Sequence, residues 1–294
     1  MNNYDDLLNN VPYEGQNGQL SKEEYAAKKK AERQEVFALA DNTALDIAGN
    51  GGRFQQYLDV QSRFGRYSAV NTLLILAQKP ESTKLGSFEH WREKGGPVKP
   101  GQTGISIVEP QEYTKEDGTP GIGYNVKKVF DISQVDTRKM KSAPPPNYGD
   151  RQLLKALIEK APVKIIGVDD MQGDFGAQTS PTTGEIHVRR GMGFTDNFRC
   201  IAQELAFAEL TSGTKTQADT IFSAYCASYL LCKKYGVDTQ GFDFENAPAV
   251  FEGFDAQEIK GELAQIRDAA AEISGRMAKQ LDLAQKAAKA QEAR

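Results

Sequence analysis

A chain of 294 residues at 39% hydrophobic content, with 14 Phe and 11 Tyr, is long enough for two domains and rich enough for a substantial core. Its net charge of −4 speaks against a surface coated in basic patches, and apolar runs such as TLLILA at 72–77 fall far short of the roughly 20 residues that cross a bilayer, so no membrane partner is expected. Three cysteines, Cys200, Cys226 and Cys232, cannot all pair and show no CxxC spacing, and the N-terminus has no export signal, so the reading is a cytoplasmic protein.

In chain order, residues 1–34 are polar and rich in Asn, Gln and Glu, a disordered or loosely helical segment with little to bury. From Glu35, EVFALADNTALDIAGNGG predicts a helix closed by Gly51 and Gly52. FQQYLDVQSRF and YSAVNTLLILAQKP predict two more, the last stopped at Pro80. The glycine- and proline-punctuated β-rich stretch that follows predicts a small sheet with a hairpin turn in KEDGTPG. KSAPPPNYGD at 141–150 is a Pro-rich linker, which separates a domain at 35–140 from one at 151–294.

Beyond the linker the pattern gives a helix in RQLLKALIEKA and strands in VKIIGV and EIHVRR. Helices follow near 196–211 and 216–235, the second stopped by Gly236. The last element is long. Ile259, Leu263, Ile266, Ala270, Ile273, Met277, Leu281 and Ala284 recur at spacings of four and three, an amphipathic helix that packs against the protein body rather than forming a free coiled coil. The fold class is α+β, with a helical and small-sheet N-terminal part, an α+β C-terminal part and a long closing helix.

Two stretches carry chemistry. In CIAQELAFAEL the pentapeptide Gln203-Glu204-Leu205-Ala206-Phe207 differs at its two ends from His-Glu-x-x-His, in which two histidines on one helical face bind zinc and the glutamate acts on metal-bound water. A neutral Gln amide is a poor ligand and Phe has no lone pair. A substitute set from His187, Asp219 and Cys200 is the rival, and a core helix that carries a glutamate is the plain alternative.

The second stretch, 63–99, interleaves cations with aromatics, the pairing that single-strand binding needs for phosphates and bases. Arg63, Tyr67 and Asn71 fall four apart and so share one helical face, while Leu73, Leu74 and Leu76 build the buried side. Arg66, Trp91, Lys94 and Lys99 complete the candidate set, with Lys99 in the turn GGPVKPGQTG. Phe64, Phe88 and Trp91 read first as the aromatics that a small core consumes, ahead of a stacking role, and His90 beside Trp91 suits a structural role.

The runs YSAVNTLLILAQKP, FEHWREKGGPVKPGQTGISIVEP and VFDISQ, in that order and spacing, resemble the ArdC-type antirestriction family of plasmids and integrative elements, and the likeness extends over about 35–283. The resemblance implies an N-terminal single-stranded-DNA-binding domain and a C-terminal zincin-like metallopeptidase domain. Tyr67 and Asn71 fit the family's Tyr-x-x-x-Asn signature. The family helix His-Glu-Leu-Ala-His-Ala aligns with 203–208, and its third ligand, a Glu, aligns with Gln217. All three ligand positions, Gln203, Phe207 and Gln217, therefore depart from the pattern while Glu204 persists. This implies a zincin-like scaffold without metal, cofactor or peptidase activity.

The expected function is a non-enzymatic single-stranded-DNA-binding protein of a mobile element, with the C-terminal domain as scaffold or contact surface for a protein partner. Two alternatives stand beside it: a metallopeptidase with the displaced ligand set, and an interaction protein that uses its long C-terminal helix and no longer binds DNA.

Overall fold

The computed structural model describes residues 21–115, 117–140, 146–171, 173–211 and 217–292. Residues 1–20 of the expected polar segment and 141–145 of the expected linker lie outside them. Helix α1 runs Lys22–Ala48, well ahead of Glu35. A capping box starts it: Ser21 Oγ accepts from Glu24 N at 3.1 Å, and Ser21 N donates to Glu24 Oε2 at 2.7 Å. Residues 22–34, expected to be loose, are its first turns, mostly exposed, with burial beginning at Val36.

The two glycines expected to close α1 instead open α2, Gly51–Arg63, whose cap Asn50 accepts from Arg53 N at 2.9 Å. A Cβ at Gly51 would stand 2.4 Å from the Phe244 carbonyl, so only glycine allows this approach to the C-terminal half. Helix α3 is Ala69–Gln78, with Leu73, Leu74 and Leu76 buried as expected. Strand β1 (Leu85–Gly86), helix α4 (Phe88–Glu93), β2 (Ile105–Thr114) and β3 (Pro120–Asp131) follow. They form an antiparallel sheet of order β1-β3-β2, with β2 and β3 in register from Ile105 opposite Val129 to Thr114 opposite Pro120.

In the second half, α5 (Asp150–Ile158) precedes β4 (Ile165–Val168), β5 (Ala177–Thr179) and β6 (Ile186–Arg189), in order β4-β6-β5 with β4 parallel and β5 antiparallel to β6. Helices α6 (Phe194–Thr211), α7 (Gln217–Tyr235), α8 (Ala247–Val250) and α9 (Ala256–Glu292) complete the chain. The α9 stripe from Ile259 to Leu281 is buried, while Ala284 at its end is exposed.

The expected two domains share one continuous core. Phe54 of α2 packs on Phe222, Phe244 and Phe251, with ring centroids 5.5, 5.9 and 5.4 Å away. Polar ties cross the same boundary: Tyr229 Oη donates to Asp59 Oδ1 at 2.7 Å, and Lys260 on α9 pairs with Asp41 on α1. Apolar burial of this kind makes the largest favourable contribution to folding, so the halves stabilise each other.

Candidate nucleic-acid interface and the altered helix

Phe64 ends α2, and Ser68 caps α3 by accepting from Asn71 N at 3.2 Å. Arg63, Tyr67 and Asn71 therefore do not share a helical face, because residues 64–67 form a turn between two helices. A buried network pins the turn from below. Tyr57 Oη donates to Gln61 Oε1 at 3.1 Å, and Gln61 Nε2 donates to the carbonyls of Phe64 at 3.2 Å and Tyr67 at 3.4 Å. Arg66 stands out from it, exposed, while Tyr67 is half-buried with its ring edge-on to Phe64.

Clefts open on both sides of Arg66 and Tyr67. One, of about 770 Å³, is lined by Arg63, Arg66, Lys84, Lys233 and Lys234. The other, of about 1010 Å³, runs past Tyr67 to Phe37 and Tyr124, whose rings meet edge to face at 5.6 Å, with Lys260 and Arg267 on its far wall. Tyr124 is 43% exposed, so part of its face is open to stacking. Cations and aromatic rings line both clefts, the pairing that single-strand binding uses, although Lys260 and Arg267 in the second are ion-paired with Asp41 and Asp268.

Two of the expected contact residues belong to the interior. Asn71 is buried, its amide fully engaged with the outer edge of β2: Nδ2 donates to Val108 O and Oδ1 accepts from Val108 N, each at 2.9 Å. Gln78, on the same face of α3, treats Ser106 in the same way at 2.9 and 2.8 Å. Both amides thus satisfy an edge strand that would otherwise bury unpaired groups. Trp91 is wholly buried, with Nε1 donating to Phe130 O at 2.8 Å, so its reading as core is the correct one. Phe64 is core as well, whereas Phe88 is exposed. Lys94 and Lys99 are exposed but line neither cleft, and Lys99 Nζ donates to Ser133 O at 3.0 Å.

Sequence reasoning missed Lys233, Lys234, Phe37 and Tyr124. The lysine pair sits in the last turn of α7, where cations suit any helix C-terminus, so it carried no distinctive signal.

On α6, Gln203, Glu204 and Phe207 line a third cleft of about 360 Å³ against β5. Glu204 Oε2 accepts from Thr179 N at 2.7 Å and Thr179 Oγ1 at 2.6 Å, so the carboxylate clamps helix to strand. Burial pushes its pKa upward, partly opposed by the two Thr179 bonds. Phe207 is half-buried and packed on the core, while Gln217 opens α7 with its side chain outside the described residues.

Of the displaced ligand set, His187 and Cys200 do not face one another. Strand alternation turns Ile186 and Val188 into the core beside α6 and His187 to the opposite face, where its Nε2 is 3.9 Å from Glu185 Oε2. Cys200 lies against Gly176 on the α6 side, its thiol pKa raised by burial, and the side chain of Asp219 lies outside the described residues. Among the described residues no three His, Cys, Asp or Glu side chains gather to hold a metal ion.

The family model of the N-terminal domain of anti-restriction factor ArdC matches residues 46–144, from the end of α1 through the sheet and into the linker. This chain carries an ArdC-type domain. Its fold extends the likeness. The crystal structure of the antirestriction ArdC protein from the R388 plasmid, metal-free, superposes with a TM-score of 0.51 at 18% identity, covering 72% of this chain and 86% of that one. The Mn(II)-bound structure of the same protein gives 0.51 at 17% identity, covering 73% and 85%. No curated protein sequence matches the chain.

The metal of that second structure invites a test of fit here. Mn(II) takes hard oxygen and imidazole donors. Among the ArdC-type ligand positions of this chain, Gln203 offers one neutral amide and Phe207 offers nothing, while Glu204 is turned to Thr179. Gln203 and Phe207, with Glu204 so engaged, do not fit a divalent ion, and the side chain of Gln217 lies outside the described residues. Among the described residues, no helix is long and apolar enough to cross a membrane.

Proposed function

We propose that the chain is an antirestriction-type protein of a mobile element that binds single-stranded DNA along the two clefts flanking Arg66 and Tyr67, and that its C-terminal half works as a scaffold, without metal and without peptidase chemistry. One observation carries the reading: Arg63, Arg66, Lys84 and Lys234 face one cleft, and no carboxylate pairs with any of them among the described residues. Unpaired cations beside half-open aromatic faces suit a flexible polyanion whose bases are free to stack, and suit duplex DNA less, because its bases are already stacked. The ArdC-type match over residues 46–144 supports the same reading.

The test separates charge from stacking. Arg66→Ala in the full chain should weaken binding to an oligothymidylate and flatten its salt dependence by about 0.7 in log–log slope, for one lost phosphate contact. Tyr124→Leu should weaken it by roughly 1–3 kcal/mol per lost stacked base with the slope unchanged. Identical affinities for both variants and the parent chain would remove the clefts from the DNA path.

A further inference from the structure

The cleft beside Arg66 is built from both halves of the chain. Arg63 and Arg66 come from the end of α2 and the turn after it and Lys84 from the loop before β1, whereas Lys233 and Lys234 end α7 in the C-terminal half, and Ser274 of α9 closes the floor. The two lysines are not equivalent. Lys233 is neutralised by Asp59 at 2.9 Å. Lys234 is exposed like Lys233, and its Nζ donates to Ser274 Oγ at 2.8 Å, its one hydrogen bond among the described residues, so two of its three donors can meet a ligand. Its pKa is lowered, first by desolvation and then by the charge of Arg66, and among the described residues no anion pulls in the opposite direction.

Position at a helix C-terminus accounts for a lysine at 234. It does not account for Arg66, which a turn from the other half brings close enough to repel it. Two like charges brought together disfavour each other and favour an incoming anion. The planar guanidinium and the ammonium of such a pair can grip one phosphate from two sides.

We infer that Lys234 is a DNA-contacting residue: a single phosphodiester of the bound strand seats between Arg66 and Lys234, so the C-terminal half forms one wall of the DNA groove. This rests on the single-strand reading above and adds to it, because an ArdC-type domain that worked alone would not need Lys234.

The experiment measures binding of a labelled oligothymidylate to the full chain, its Lys234→Met, Lys234→Arg and Arg66→Ala variants, and the Arg66→Ala/Lys234→Met double variant, over a salt series, with melting curves for each. Methionine keeps the stem and removes the charge. Lys234→Met should bind about fivefold to tenfold more weakly, with the salt slope reduced by up to about 0.7, and Lys234→Arg should restore both. The double variant should lose less than the product of the single losses, because both residues hold one phosphate. Excess inorganic phosphate at matched ionic strength should not displace the strand. Unchanged affinity and slope in Lys234→Met, beside firm binding by the parent chain, would overturn the inference and leave the single-strand reading standing. So would a loss of affinity with the slope intact and no rescue by arginine, since that marks a packing role. Displacement by inorganic phosphate would reassign the pair to a free-phosphate site. Absence of binding by the parent chain at low salt would remove both readings at once.

Discussion

Asn71 belongs to the Tyr-x-x-x-Asn pattern that made it a candidate DNA contact, and its surroundings give it a different task that can be measured. Replacement by Ala removes both bonds to Val108, which is 4% exposed, and leaves its N–H and C=O without partners at the covered edge of β2. Each buried orphan costs about 1–3 kcal/mol, so two bring the loss to about 2–6 kcal/mol. For a protein of this size each kcal/mol lowers the melting temperature by about 2–4 °C, so Asn71→Ala should melt at least about 4 °C below the parent chain. Asn71→Asp is the sharper probe. It retains an acceptor for Val108 N–H but sets a carboxylate oxygen against Val108 O in a buried place, and it should be no more stable than the alanine variant. Calorimetric melting with parallel oligonucleotide binding reads both properties. The expected result is lowered stability with unchanged DNA affinity in the fraction that remains folded. Wild-type melting with lost DNA affinity would refute the edge-strand role and return Asn71 to the interface.

Glu204→Gln should retain both Thr179 bonds through its amide oxygen and leave stability near that of the parent chain, whereas Glu204→Ala orphans the Thr179 N–H and should lose about 1–3 kcal/mol in chemical denaturation. Because burial raises the Glu204 pKa above 4.5, its ionisation favours the unfolded state: stability attributable to this group rises as pH falls from neutral through the raised value and is lost as pH rises, a component that Glu204→Gln should abolish. Asp131 behaves in the opposite sense. Burial would raise its pKa, but hydrogen bonds from Ser133, Lys84 and Thr83 outweigh it and hold the pKa below 3.8, so its contribution is present above that pH and disappears as pH falls through the folded-state value. Acid titrations of Asp131→Asn should therefore start from lower stability and lose less of it. Elemental analysis of the chain purified without chelator should find neither zinc nor manganese in stoichiometric amount, and an equimolar metal lost on mutating His187 would contradict the poverty of donors on α6.

The sequence was most informative where a signal is local. Pro80 and Gly236 marked helix ends, and the period of α9 gave its buried stripe, because each depends on residues a few positions apart. The capping box Ser21-Lys22-Glu23-Glu24 that starts α1 is equally local, but it lies inside the stretch whose polar composition reads as loose. Strand β5 is three residues long, too short for any alternation to register. The role of Asn71 was illegible for another reason, since its partner Val108 lies 37 residues away and only folding brings the β2 edge over α3. Lys234 was hidden in the same way, being unremarkable on its own helix and distinctive only beside Arg66. The boundary at 141–150 reads as a linker in composition, yet Phe54 and Phe222 place one core on both sides of it. A fragment of residues 35–140 would expose that core, so DNA binding is properly measured on the full chain.

Single-strand binding itself is read by fluorescence anisotropy of labelled oligothymidylate with the full parent chain, across a salt series and beside a duplex of equal length. Three phosphates, one each at Arg63 and Lys84 and one shared by Arg66 and Lys234, give an expected log–log slope of roughly −2, at about −0.7 per phosphate on a single strand, with the single strand bound more tightly than the duplex throughout. Equal or tighter binding of the duplex, or no binding to the single strand even at the lowest salt, would contradict a single-strand groove along these clefts.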